Sequence, residues 1–345
     1  MKRLSTTLVI ALALTFILTL GYAGLTSTAA FGPYTDTWEG TEEFRTIAGE
    51  DNRELHIASQ SAHYERVDPN ETVAILFPAR EPYSTEHVSQ LELFLEAGGT
   101  LVIADARAEP TNSLLDALGA STSIDGDPLR DERHYRESPA LPETQVITNH
   151  SVTTGADTFI LNYGSVLETD AEPLINSSRY SYLDRDHSGD LSPDESLASY
   201  PIATNESMGN GDLIVFSDAS PFIDAMLDYD DNRVIATNLV APYESVMLDT
   251  THTERLPPLA ALLMAIRNSS LLQSLFAFGA VVAIWAGTRR GPTLLTALET
   301  RLFPSPPRTS SPPTEEITHV ISRHRPAWDE ARIERIAETI RKYRR

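Results

Sequence analysis

The sequence predicts an α/β domain with a mostly parallel sheet flanked by helices, set between two transmembrane helices. Three observations carry this. Short continuous apolar runs recur between turn residues: TVAILFP at 72–78, TLVIAD at 100–105 and DLIVFS at 212–217. Such runs suit buried strands. Amphipathic helical patterns fall between them, as in βαβ units. Apolar stretches with basic flanks stand near both ends of the chain.

In chain order, Lys2 and Arg3 precede an uncharged stretch, and residues 4–25 read as an N-terminal transmembrane anchor. The rival reading is a signal peptide cleaved near Thr28-Ala29-Ala30. Either way, the domain expected over 34–250 lies outside the cell. Thr72–Pro78 is its first buried strand. Ser84 then caps a helix, with Glu86 and His87 in its first turn and Val88, Leu91, Leu93, Phe94 and Leu95 along one side. Gly98-Gly99 ends that helix. Thr100–Asp105 follows as a strand parallel to the first, and Pro110–Leu118 as a helix. Thr144–Asn149, Phe159–Leu167 and Tyr180–Leu183 read as shorter strands. After the strand Asp212–Ser217 come two helices, Pro221–Leu227 and Asn232–Val240.

Leu256–Ile266 suits a helix at a membrane surface. Residues 270–287 form a second transmembrane candidate, followed at once by Arg289 and Arg290. The positive-inside rule then puts both termini in the cytoplasm, which implies a two-pass cell-membrane protein in contact with the lipid bilayer. The tail, 288–345, holds a Pro/Ser-rich linker (Pro304–Pro313) and an amphipathic helix from Trp328. Ile333, Ile336, Ala337 and Ile340 share one face of that helix, for the inner leaflet or a protein partner.

Composition narrows the partners. The chain has 345 residues, with 49 acids, 27 bases and a net charge of −22. Only Lys2 and Lys342 are lysines. Residues 26–288 hold 42 acids against 13 bases. The acids are scattered rather than blocked, so they read as a halophile's solvated surface, its self-repulsion screened by high salt. A nucleic-acid partner is excluded for this region, because phosphate binding needs the opposite sign. There is no cysteine, which excludes disulfides, zinc thiolate sites and a Cys nucleophile. Asn70, Asn149, Asn176, Asn205 and Asn268 open glycosylation sequons.

The most specific chemical signal is DRDHSGDLSPDE, residues 184–195. In a twelve-residue calcium loop, oxygen ligands come from positions 1, 3, 5, 7, 9 and 12, with glycine at 6. Here Asp184, Asp186, Ser188, Asp190 (through its carbonyl), Ser192 and Glu195 fall at those positions, and Gly189 at the sixth. Leu191 is expected to pack inward. Ser192 to Glu195 reads as a capping box with Pro193 at the first helical position, so a helix should leave the loop. The segment before the loop is strand-like and there is no second loop. The expected ion is therefore a structural Ca²⁺ rather than a sensor's.

The strings Ile75–Asp105 and Gly209–Leu239 resemble the domain-of-unknown-function family 4350. The matched features are the helix ending in Ala97-Gly98-Gly99 with its strand, then Ser217-Asp218 after a strand, then Asp231-Asn232 opening a helix. The resemblance implies a class I glutamine amidotransferase-like fold, a membrane tether and an accessory role in a membrane assembly. Amidotransferases of this fold use a Cys nucleophile with a His partner, and this chain has no Cys. The expectation is a non-catalytic binding or scaffold protein, with protein partners at the tail or the exported domain. The alternative is a serine/carboxylate hydrolase built on Ser217, Asp218, Ser220 and Asp105 with His150 or His63. Against it, there is no G-x-S-x-G elbow, and helix capping explains the serines as well.

Overall fold

The computed structural model describes residues 30–252 apart from residue 36, residues 313–343, and the isolated positions 15, 274 and 278. It divides into two units, Met1–Ala265 and Ile266–Arg345.

The first unit is a mixed α/β architecture with a large, mostly parallel central sheet. Its thirteen strands among the described residues are β1 Glu54–Ala58, β2 Thr72–Leu76, β3 Thr100–Ala104, β4 Ser123–Ile124, β5 Leu129–Asp131, β6 Glu143–Val146, β7 Thr158–Ile160, β8 Leu167–Glu168, β9 Glu172–Asn176, β10 Ser181–Leu183, β11 Pro201–Met208, β12 Gly211–Phe216 and β13 Ser245–Asp249. Nine form one sheet in the order β1-β13-β2-β3-β12-β11-β9-β6-β7, while β10 pairs with β5 and β4 with β8. From β1 to β12 every neighbour is parallel. Beyond β12 only β11 and β6 run against the others.

Four helices flank the sheet: α1 Glu42–Ala48, α2 Thr85–Glu96, α3 Thr111–Leu118 and α4 Asp230–Val240. The inner parallel strands β13, β2, β3 and β12 are buried on both faces, and their side chains alternate between two apolar layers. Val73, Ile75, Val102, Ala104, Ile214, Phe216, Val246 and Leu248 pack with Phe44 and Ile47 of α1 and with Ile235 and Leu239 of α4. Ala74, Leu76, Leu101, Ile103, Leu213, Val215 and Met247 pack with Leu91 and Phe94 of α2 and with Leu114 and Leu115 of α3. The sheet is therefore the middle of three layers. Ser84 Oγ accepts from the His87 amide at 3.2 Å, the expected cap of α2.

Several expectations change. The two-pass cell-membrane placement is corrected. Among the described residues no helix is long and apolar enough to cross a membrane. The longest described helix, Glu330–Tyr343, has 14 residues and carries charges along its length. It reaches only about 21 Å against a hydrocarbon core of about 30 Å. The stretches 4–25 and 270–287, the helix at Leu256–Ile266 and the linker Pro304–Pro313 lie outside the described residues. The helix expected over Pro221–Leu227 is a single 3₁₀ turn, Ser220–Phe222, followed by turns. The segment Phe159–Leu167 divides between β7 and β8, which belong to different sheets.

In the second unit, the expected tail helix is present as α6, Glu330–Tyr343, preceded by α5, Thr314–His324, against which it packs. Ile333 and Ala337 of α6 are buried, whereas Ile340 is exposed.

Candidate functional site

The loop 184–195 leaves β10 directly and lies on the connection toward β11. β10 pairs with β5, and the loop is fastened to the β4–β5 connection. Arg185 donates to Asp125 at 3.0 Å and to Asp127 at 2.6 Å. Gly189 takes φ +88°, and His187 before it takes +53°. These two positive-φ residues, on either side of Ser188, reverse the chain, and glycine accepts this without a Cβ penalty.

This reversal brings carboxylate oxygens of Asp184, Asp186 and Glu195 within 4.8 Å of one another. Asp184 is fully buried. Its Oδ2 accepts from Arg130 Nε at 2.6 Å and from the Gly189 amide at 3.1 Å, while its Oδ1 is buried with no hydrogen-bond partner. Asp186 is open to solvent, and accepts from the Ser192 hydroxyl at 2.7 Å and the Ser188 amide at 3.0 Å. The hydroxyls of Ser192 and then Ser188 hold its carboxyl down at about 2, so it is anionic at any working pH. Glu195 accepts from the amides of Arg185 at 2.8 Å and Ser192 at 3.0 Å. Ser188 Oγ donates to the Asp190 carbonyl at 2.9 Å, which places the fifth and seventh loop positions side by side.

The loop departs from the sequence reading in two ways. No helix follows it. Glu195 accepts from the Ser192 amide, but the backbone closes only a turn there, Glu195 N to Ser192 O at 3.0 Å. Leu191 remains 39% exposed and does not pin the loop from inside. Arg130 was not anticipated, because nothing in the local spacing links residue 130 to residue 184.

The strand-end residues lie elsewhere, at the carboxyl end of the sheet. Asp218 follows β12 and is buried. It accepts from the Asn162 amide at 2.8 Å and the Ser220 amide at 2.7 Å. Burial pushes its carboxyl up to about 6 against those hydrogen bonds. Asp105 follows β3, and accepts from the Arg107 amide at 3.0 Å and Thr111 Oγ1 at 2.7 Å. Burial raises it too. Ser217 Oγ is buried without a partner. His150 instead accepts from the Val152 amide as a helix cap, and its other nitrogen faces Asn205. His63 Nδ1 takes the Ser59 amide. Neither histidine is paired with a serine hydroxyl of the strand ends, and these aspartates shape turns.

The family described as Domain of unknown function (DUF4350) matches residues 33–240. No curated protein matches the chain. Among solved structures, the chain is similar to the mmIFT52 N-terminal domain, at 18% identity and TM-score 0.39, covering 51% of this chain and 76% of that one. It is similar to the cytoplasmic protein STM1381 from Salmonella typhimurium LT2, at 10% identity and TM-score 0.37, covering 59% and 86%. A polyextremophilic β-galactosidase from the Antarctic haloarchaeon Halorubrum lacusprofundi gives 13% identity and TM-score 0.31, covering 49% and 22%. At these scores none of the three bears on the chemistry of the chain.

Proposed function

The chain belongs to the DUF4350 family, and from that premise we propose that it is a non-catalytic binding or scaffold protein, accessory to a larger assembly, whose amidotransferase-like α/β domain is stapled by a structural Ca²⁺. The observation that carries the reading is the convergence of the Asp184, Asp186 and Glu195 carboxylates, one of which, Asp184, has an oxygen (Oδ1) buried without a partner. A buried carboxylate oxygen without a donor is costly unless a cation serves it. The donors on offer are all oxygens, which suits a hard cation and not zinc or copper. Asp184, Asp186 and Glu195 would supply the charge, with the Ser188 hydroxyl and the Asp190 carbonyl at the remaining loop positions. Arg130 occupies only the other oxygen of Asp184.

The ion would tie the end of β10 to the close of the loop at Glu195, while Arg185 links the same loop to the β4–β5 connection. Binding to the folded state alone contributes about 2.7 kcal/mol at a hundredfold excess over Kd. In a domain of this size that is a rise in melting midpoint of roughly 5–10 °C. Calorimetric titration of the purified protein with CaCl₂, with melting followed in Ca²⁺ and in chelator, tests this. Glu195→Gln should abolish the calcium-dependent rise while leaving the midpoint in chelator nearly unchanged. A midpoint indifferent to both ion and chelator sinks the staple. The scaffold role is tested by affinity capture with and without residues 304–345. A partner set carried by the α5–α6 unit should be lost on its deletion.

A further inference from the structure

Arg130 has no place among the oxygen donors of the loop, yet its guanidinium is held against the first of the loop's carboxylates. Arg130 lies in β5 directly opposite Tyr182 of β10, and β10 delivers Asp184 to the same place. Arg130 Nε donates to Asp184 Oδ2 at 2.6 Å, with the arginine side chain 17% exposed and the aspartate wholly buried. The pair of strands also grips the turn of the loop. The Gly189 amide donates to the same Asp184 oxygen at 3.1 Å, and Tyr182 Oη donates to the Gly189 carbonyl at 3.4 Å. A Cβ on Gly189 would stand 3.7 Å from Arg130 Nη2, so the guanidinium runs alongside that turn. A buried, charge-assisted pair of this kind is costly to break from one side, because the carboxylate left behind has no counter-charge.

The other two carboxylates are met by neutral donors. Asp186 takes the Ser192 hydroxyl and the Ser188 amide, and Glu195 takes the amides of Arg185 and Ser192. Arg185 spends its guanidinium on Asp125 and Asp127, in the open. Three carboxylates and the one guanidinium of Arg130 leave the site two negative charges, which a single divalent cation cancels. Loops of this type vary over orders of magnitude in affinity with the charge of their donors and the rigidity of the site.

Arg130 therefore has two opposed effects. With no ion bound, it neutralises Asp184 and holds the loop in its binding shape. A cation on Asp184 Oδ1 shares that carboxylate with the guanidinium on Oδ2, and two positive charges so close, beside a buried group, repel far more than they would in water. The residue that prepares the site thus weakens the binding it has prepared.

We propose that Arg130 is the resident counter-cation of the loop: it stands in for the metal on Asp184 when calcium is scarce and opposes it when calcium is bound, and so sets the calcium threshold of the site. The proposal rests on the calcium reading of the loop. The test uses the whole protein at constant ionic strength set with KCl. Wild type, Arg130→Met, Arg130→Lys and Arg185→Met are titrated calorimetrically with CaCl₂, and their melting midpoints are taken in chelator and in saturating CaCl₂. Arg130→Met should melt earlier than wild type in chelator and recover in calcium, so that its calcium-dependent rise is the larger. Its half-saturation should fall about tenfold or more, as the repulsion is removed. Arg130→Lys, which keeps the charge, should stay within about threefold of wild type. Arg185→Met, which removes an exposed and screened charge, should also stay within about threefold. If Arg130→Met is unfolded in chelator, the calcium concentration at which it folds reports the same exchange of ion for arginine, and failure to fold at any calcium concentration overturns the proposal. A wild type that responds to calcium while Arg130→Met binds more weakly, or shows no larger a rise, overturns the proposal and leaves the staple standing. An equal tightening in Arg185→Met makes the effect one of general surface charge and also overturns it. A wild type indifferent to calcium removes the staple itself, and this role of Arg130 with it.

Discussion

Asp249 ends β13 inside a chain of polar groups that crosses the apolar layer. Tyr64 donates to its Oδ2 at 2.8 Å, and His87 Nε2 stands 2.8 Å from the same oxygen, off the ideal hydrogen-bond line. On the other side of the imidazole, His87 Nδ1 is 2.9 Å from His252 Nε2. Tyr83 packs on His252 at 4.5 Å between centroids. Burial and then the neighbouring His87 lower the pKa of His252, against the opposing pull of Asp249 and Glu81. A histidine held neutral contributes stability above its unfolded value of about 6.5, lost as pH falls through the lower folded value. The melting midpoint should therefore drop on acidification below about 6.5, and His252→Gln should flatten that part of the profile. An identical slope in the variant would remove His252 from the account. Asp218 acts oppositely: its raised carboxyl favours folding at low pH, and that contribution is lost as pH rises through about 6. Elsewhere in the core, Phe222 meets Phe216 edge to face at 5.2 Å and Phe44 at 5.7 Å. Phe222→Ala should cost about 3–5 kcal/mol in urea unfolding, by lost burial and a cavity.

At the scale of elements, a tight junction joins the end of α2 to the starts of β3 and β12. A Cβ on Gly211 would stand 2.1 Å from the Gly99 carbonyl oxygen and 2.9 Å from that of Leu95. Both obstacles are backbone, so nothing can rotate away. Gly211→Ala should destabilise by roughly 1–3 kcal/mol, the usual range for overpacking, measured by denaturant midpoint. The same scale explains what could be read from the sequence. β2, β3 and β12 are buried on both faces and so appear as unbroken apolar runs. β1 is the sheet edge, only half-buried along ELHIA, and shows no run. β11, PIATNESM, is polar along much of its length and pairs antiparallel on both sides. β13 is fully buried, but SVMLD is short and bounded by Ser and Asp. The convergence of Asp184, Asp186 and Glu195 was legible because its spacing is local, within twelve consecutive residues. The hollow at the carboxyl end of the sheet was legible in part, since Asp105, Asp218 and Ser220 each follow an apolar run, whereas Arg107 and Tyr163 join them only through the sheet order.

For the whole molecule, charge dominates. At −22 for 345 residues, repulsion among exposed carboxylates opposes the compact state and falls as the Debye length shrinks from about 10 Å at 0.1 M salt to about 3 Å at 1 M. The exposed ion pairs do little to offset this: Arg45–Glu42, Arg233–Glu43 and Arg136–Glu143 lie on the surface, where a pair contributes little. Raising KCl from 0.1 to 2 M should lift the melting midpoint by several degrees or more. A midpoint that falls or stays level would place the acids in a partner-binding role instead.

The position of β13 carries a further consequence, for synthesis. It lies between β1 and β2 and is parallel to both, yet some 170 residues follow β2 before its first residue leaves the ribosome. Until then β1 and β2 have no strand to join them, and the slot between them is an open template for any other extended chain. The nascent domain thus waits for its last strand, and a chain stalled before residue 245 should be the species that a holdase chaperone captures.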